Sequence, residues 1–155
     1  MAVHTPQMGV TTLEAKTPRY RERVATIIQG AHFIQALGAE LLDVGPGWCE
    51  MAMPVKPMHW QQDRYVHAGV QGTLADHTAG SAACSLIGEE EMILTIEYKV
   101  NLLRPCVGER LRCRAEVLRP GRTLMVAESA VYADGPEGER LTAKAMVTLA
   151  VVPAR

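Results

Sequence analysis

The sequence contains no run of about 18 apolar residues, the length a helix needs to cross a bilayer, so a transmembrane span is not expected. Its first residues, Met1-Ala2-Val3-His4-Thr5-Pro6, carry neither a basic stretch nor an apolar one, and no secretory signal is expected. Neither sign of charge is in excess. Sixteen basic against 17 acidic residues give a net charge of -1, which argues against a broad nucleic-acid or membrane-binding surface. The four cysteines, Cys49, Cys84, Cys106 and Cys113, form no CxxC pair and read as reduced structural thiols of a cytoplasmic protein. Aromatics are scarce at 5%, and Phe33 is the sole phenylalanine, too little to argue for an aryl-lined pocket. Gly-rich phosphate loops, GxSxG elbows and Cys–His pairings are missing too, so P-loop and serine-hydrolase chemistry have no support. With 48% hydrophobic and 21% charged residues over 155 positions, what is present is one globular domain with room for a substantial core.

Residues 1–16 are aperiodic and read as a flexible tail, leaving 17–155 as the domain. Thr17-Pro18 predicts a helix start, with Thr17 as N-cap and Pro18 in the first turn. Tyr20, Val24, Ile27, Ile28, Ile34 and Leu37 partly keep helical spacing, Gly30 divides the segment, and Gly38 suits its end. Glu40–Val44 and Trp48–Val55 around Gly45-Pro46-Gly47 predict a β-hairpin, followed by a loop over Pro57–Val66. Beyond Glu89-Glu90-Glu91 come four strand-like runs. In the first, Leu94, Ile96, Tyr98, Val100 and Leu102 alternate with Thr95, Glu97, Lys99 and Asn101. In the second, Leu111, Cys113, Ala115 and Val117 alternate with polar neighbours. Leu124–Tyr132 and Leu141–Val152, joined by the turn Asp134-Gly135-Pro136-Glu137-Gly138, complete the set. The expected architecture is α+β: an antiparallel sheet of about six strands curled around one long helix.

That helix, His67–Ala83, is the most informative segment. Ala68, Gly72, Ala75, Ala79, Ala82 and Ala83 let its backbone approach a sheet closely, and among these small residues stands one carboxylate, Asp76. Burying a carboxylate is costly unless it is paired or used. Asp76 is therefore either a solvent-facing aspartate or a group that does chemistry in a cleft.

The motifs and their order resemble the hot-dog fold and, within it, the PaaI-like (phenylacetate-pathway, 4-hydroxybenzoyl-CoA thioesterase-like) acyl-CoA thioesterases. The matching residues are His67-Ala68-Gly69, Leu74-Ala75-Asp76 and Asn101-Leu102-Leu103-Arg104-Pro105, then Arg119-Pro120-Gly121-Arg122 and Lys144-Ala145-Met146-Val147-Thr148. The resemblance spans roughly residues 25–152. It implies hydrolysis of an acyl-CoA thioester without metal or other cofactor. It also implies a homodimer with active sites straddling the subunit interface, often paired again into a homotetramer.

In that resemblance Asp76 takes the catalytic acid position, as general base toward water or as nucleophile toward the thioester carbonyl. Gln61, fifteen residues earlier, takes the place of an amide that orients water or thioester and would act with Asp76 of the other subunit. Gln62 competes with it, because a one-residue loop shift exchanges the two. Ala68 and Gly69 stand where a helix-initial N–H polarises the thioester carbonyl, a contribution of roughly 3 kcal/mol per donor. The chain departs from the family pattern here, since Ala68 replaces a glycine and its Cβ crowds the approach.

His67 would brace this turn beside the substrate. Thr95 corresponds to a hydroxyl that holds the nucleophilic water, although strict alternation puts it with Glu97 and Lys99, a tension that either a β-bulge or a dimer-facing side would reconcile. Arg104, Arg119 and Arg122 are candidates for the CoA phosphates, or simply solvated strand ends. His67, Asp76 and His77 lack the spacing of helical zinc ligands, and no metal is expected. Enoyl-thioester hydration is disfavoured because Asp63 and His67 are four apart, not the five of those relatives. A non-catalytic acyl-CoA-binding or sensing protein on the same scaffold is the alternative from another class.

Overall fold

The computed structural model describes residues 12–136 and 138–155. Helices α1 (Tyr20–Gly30) and α2 (His32–Leu37) lead into strands β1 (Glu40–Gly45) and β2 (Trp48–Pro54). A single 3-10 turn, Pro57–His59, and a loop precede the long helix α3 (Ala68–Cys84). Strands β3 (Glu91–Leu102), β4 (Arg110–Arg119), β5 (Leu124–Gly135) and β6 (Gly138–Pro153) follow. All pairings are antiparallel, in the order β1-β2-β4-β5-β6-β3, so β3 is an edge strand although it comes third in the chain. No described helix is long and apolar enough to cross a membrane.

The break expected at Gly30 and the stop at Gly38 are both present. Gly38 has φ 74°, the left-handed conformation that glycine adopts without a Cβ penalty, and its N–H returns to the last turn of α2. The expected start of α1 is corrected: the helix begins at Tyr20, after a turn at Pro18 and Arg19. Thr17 still serves that end, its Oγ1 accepting from the Arg19 N–H at 3.3 Å. Of the segment read as a tail, residues 1–11 lie outside the described residues. In the remainder, Leu13 packs on the core and Lys16 pairs with Glu91 at 2.9 Å.

Helix α3 packs against β2, β3, β4, β5 and β6 and is the core of the domain. Ala75, Ala79, Ala82 and Ala83 are fully buried on its sheet side. Their size allows Ser129 Oγ on β5 to donate a 2.7 Å hydrogen bond to the Ala75 carbonyl, joining a strand side chain to helix backbone. Ala68 does not share in this packing, being exposed at the helix start. Gly72 faces Tyr98 and Val100 of β3 with space for a Cβ at ordinary contact distance, 3.6 Å, so proximity to the sheet does not demand glycine there. Around the helix Met51, Met53, Leu74, Ile87, Leu111 and Leu149 fill the core.

The four cysteines are free and buried. Burial pushes the Cys49 and Cys113 thiols up to about 12 and Cys84 to about 11, and it raises Cys106 as well.

Overpacking the helix–sheet seam tests its closeness. Ala79→Leu should lower the unfolding free energy by about 1–3 kcal/mol, read from urea midpoints, whereas an unchanged midpoint would contradict the packing described.

Candidate active site

The loop between β2 and α3 is fastened at several points, which is what sets the site's first half. His59 O accepts the His67 N–H at 2.8 Å, Cys106 O accepts the Val66 N–H at 2.9 Å, and Tyr65 O accepts the Gln61 N–H at 2.9 Å. Arg64 takes a left-handed φ of 64° to close this loop, its guanidinium over the Trp60 ring. The His59 ring is buried, with Nδ1 accepting from the Lys56 N–H at 3.0 Å.

At the start of α3 the imidazole of His67 caps the helix, Nδ1 accepting from the Gly69 N–H at 2.9 Å. Glycine at 69 is what permits this approach, because a Cβ there would lie 3.0 Å from the same nitrogen. The His67 carbonyl takes the N–H groups of Val70 and Gln71. Ala68 is left as the first-turn amide without a partner among the described residues. Of the two amides expected to meet a carbonyl, Gly69 is therefore engaged and Ala68 is open.

Ala68 lines a cleft of ≈ 530 Å³ with Gln61, Tyr65, Val66, Gln71 and the segment Leu102–Cys106, including Arg104. Gln61 Oε1 accepts from the Asp63 N–H at 2.8 Å, which leaves its Nε2 as the available donor. Gln62 is exposed and does not line the cleft.

The second half forms where α3 meets β3. Asp76 is half-buried, and its Oδ1 accepts a 2.8 Å hydrogen bond from Thr95 Oγ1. A β-bulge makes this contact possible. Thr95 pairs with Leu149 and Glu97 with Thr148, so Ile96 is an extra residue in β3. On the far side of the bulge Tyr98, Val100 and Leu102 pair with the buried Val147, Ala145 and Ala143 and face the helix. Before it, Thr95 is opposite the buried Leu149 and faces the helix in turn. The expected single apolar face from Leu94 to Leu102 is thus corrected: Leu94 and Ile96 are turned outward, 48% and 59% exposed.

The two halves do not meet within one chain. Ala68 and Asp76 are eight residues apart on one helix, about 12 Å along its axis, too far to engage one carbonyl together. Arg119 and Arg122 lie at the opposite end of the sheet from Arg104, near where Leu124 pairs with Ala150. His77 stands beside Asp76 with its Nε2 buried and unpartnered, and burial lowers its proton affinity. Gln71 belongs to no recognisable sequence spacing; its place in the cleft follows from its position one turn into α3, and His59 supports that turn from outside through its carbonyl.

A long helix wrapped by a six-stranded antiparallel sheet in this order is the hot-dog fold. The chain belongs to the thioesterase superfamily, whose family model matches residues 64–139, and it is a thioester hydrolase. A thioesterase family protein from Silicibacter pomeroyi superposes with a TM-score of 0.85 at 39% identity, covering 87% of this chain and 99% of that one. ComA2 of Bacillus subtilis is 30% identical over 120 residues, 77% of this chain and 93% of that protein. The 1,4-dihydroxy-2-naphthoyl-CoA hydrolase of Listeria monocytogenes is 26% identical over 117 residues, 76% and 93% of the respective chains.

Burial lowers the proton affinity of His59, assisted by the Lys56 charge, and that of His77, opposed only by Asp76. Both rings bind a proton more readily in the unfolded chain, so the unfolded state takes up more protons as pH falls below about 6.5. Stability should therefore decline from about pH 7 to pH 5, read as falling urea midpoints, before the carboxylates titrate. A flat profile across that range would contradict buried neutral imidazoles.

Proposed function

We propose that this protein hydrolyses an acyl-CoA thioester to free acid and CoA, with Asp76 as the catalytic carboxylate. The observation that carries the reading is the Asp76–Thr95 hydrogen bond, which fixes one carboxylate oxygen and leaves the other available on the open side of α3. That oxygen takes a proton from water as the water oxygen attacks the thioester carbon. The negative charge that develops on the carbonyl oxygen is met by the Ala68 N–H, with the helix N-terminus behind it. Collapse of the tetrahedral intermediate breaks the C–S bond, and the departing CoA sulfur receives the proton from Asp76. Direct attack by the carboxylate, which breaks the C–S bond, releases CoA as its thiolate and forms a mixed anhydride that water then opens to free acid and carboxylate, uses the same groups. Gln61 Nε2 is the remaining donor for the thioester or the water.

Because Ala68 and Asp76 of one chain are about 12 Å apart along α3, the reading joins Gln61 and Ala68 of one copy with Asp76 and Thr95 of a second. The edge of β3 supports that pairing: Leu94, Ile96, Tyr98 and Leu102 are 48%, 59%, 47% and 52% exposed on a strand that pairs with β6 on one side and has no strand on the other among the described residues. An antiparallel partner strand brings the Arg119–Arg122 end of one copy toward the Arg104 end of the other. These guanidinium groups are then the candidates for the CoA phosphates.

Two measurements test this. Asp76→Asn should lose at least about a hundredfold in turnover, measured by thiol release across short, medium, long and aryl acyl-CoAs. A wild-type protein that binds CoA esters and cleaves none would replace the reading with that of an acyl-CoA-binding protein. Light scattering should give a dimer or a pair of dimers. A stable, active monomer would rule out the shared site.

A further inference from the structure

One polar group in the cleft has no use in that mechanism. Gln71 is 3% exposed, its Nε2 donates a long 3.5 Å hydrogen bond to the Val66 carbonyl, and its Oε1 has no partner among the described residues. A buried amide oxygen without a donor is destabilising, since it has given up water for nothing. Beside it the cleft wall is formed by Val66, Leu102, Leu103, Pro105 and Cys106, with Gln61, Tyr65 and Arg104 also in the lining. A leucine or methionine would fill the same space without that cost.

The position narrows what the oxygen meets. Gln71 is three residues after Ala68, one turn deeper on the same helix face, and lines the same cleft. Ala68 is exposed at the mouth, whereas Gln71 is buried. With the thioester carbonyl on the Ala68 N–H, the strongly polar CoA arm runs outward to solvent and the arginines, and the acyl group runs inward past Gln71. An acceptor there wants a donor on the acyl group, and an acyl chain has no donor unless it carries a hydroxyl or an amine.

We propose that Gln71 is a specificity-determining residue, its Oε1 accepting a hydrogen bond from a hydroxyl on the acyl chain within a few bonds of the thioester carbonyl. This rests on the acyl-CoA reading above and adds a preference to it. Hydroxylated acyl-CoAs satisfy the buried oxygen, and their deoxy counterparts leave it unpaired.

The test compares 3-hydroxybutyryl-CoA with butyryl-CoA, and a longer pair differing by the same hydroxyl, in the wild type and in Gln71→Met. The wild type should favour the hydroxylated member of a pair by about tenfold or more in kcat/KM, the value of one hydrogen bond. Gln71→Met should remove that preference by lowering kcat/KM for the hydroxylated substrate and leaving the deoxy one unchanged or faster. The ligand-free variant should unfold at a higher urea concentration than the wild type, which a merely structural glutamine would not produce. Cleavage of both members at equal kcat/KM by the wild type would overturn the proposal while leaving the acyl-CoA reading intact; cleavage of neither member of a pair and of no other acyl-CoA would remove that reading instead. An equal loss on both substrates in Gln71→Met would move the oxygen to the pantetheine amides and overturn the proposal. Unchanged selectivity with a weakened dimer would assign it to a subunit contact, with the same result.

Discussion

The close approach of α3 to the sheet governs everything else in this domain. Alanines at 75, 79, 82 and 83 keep the helix backbone near enough for Ser129 to reach the Ala75 carbonyl. A helix clasped on that side has only one stripe left, and Thr73, Asp76, His77 and Gly80 occupy it, none of them fully buried. Asp76 is therefore where a side chain on this helix keeps contact with water. Moved to 75 or 79, the same side chain would face the sheet as an unpaired buried charge.

The edge strand completes what the helix begins. Ile96 is one residue too many for the pairing of β3 with β6, and the ladder absorbs it by turning the side chains on either side out of simple alternation. That single irregularity points Thr95 at Asp76 and leaves Leu94 and Ile96 looking away from the helix. The Thr95–Asp76 hydrogen bond and the apolar outer surface of β3 thus have one cause. A regular strand would have supplied neither.

What could be read from the chain beforehand was what depends on periodicity and on glycine. The hairpin around Gly45-Pro46-Gly47, the stop at Gly38, the small-residue helix and the four later strands follow from local pattern. Asp76 was visible because a lone carboxylate among alanines breaks that pattern. The resemblance allowed a bulge beside Thr95 but could not place it at Ile96, because its cause is a mismatch with β6, some fifty residues away in the sequence. Nor could spacing say that His67 takes the Gly69 amide and leaves that of Ala68 open, which depends on the imidazole rotamer and the fastened loop behind it. The first turn of α1 was misplaced for a related reason: Thr17 holds the Arg19 amide through a turn that precedes the helix rather than begins it.

The buried cysteines have a chemical consequence in a protein that handles thioesters. Thiolates exchange acyl groups with thioesters readily, and Cys106 lies in the wall of the cleft itself. Burial and the consequent rise in its pKa keep that sulfur protonated and only 2% exposed, and the other three thiols are held still further above neutrality. Each is thereby a poor acceptor for the acyl group. With a thioester in that cleft, as proposed above, the buried sulfur is not acylated, and water is left as the partner that takes the acyl group.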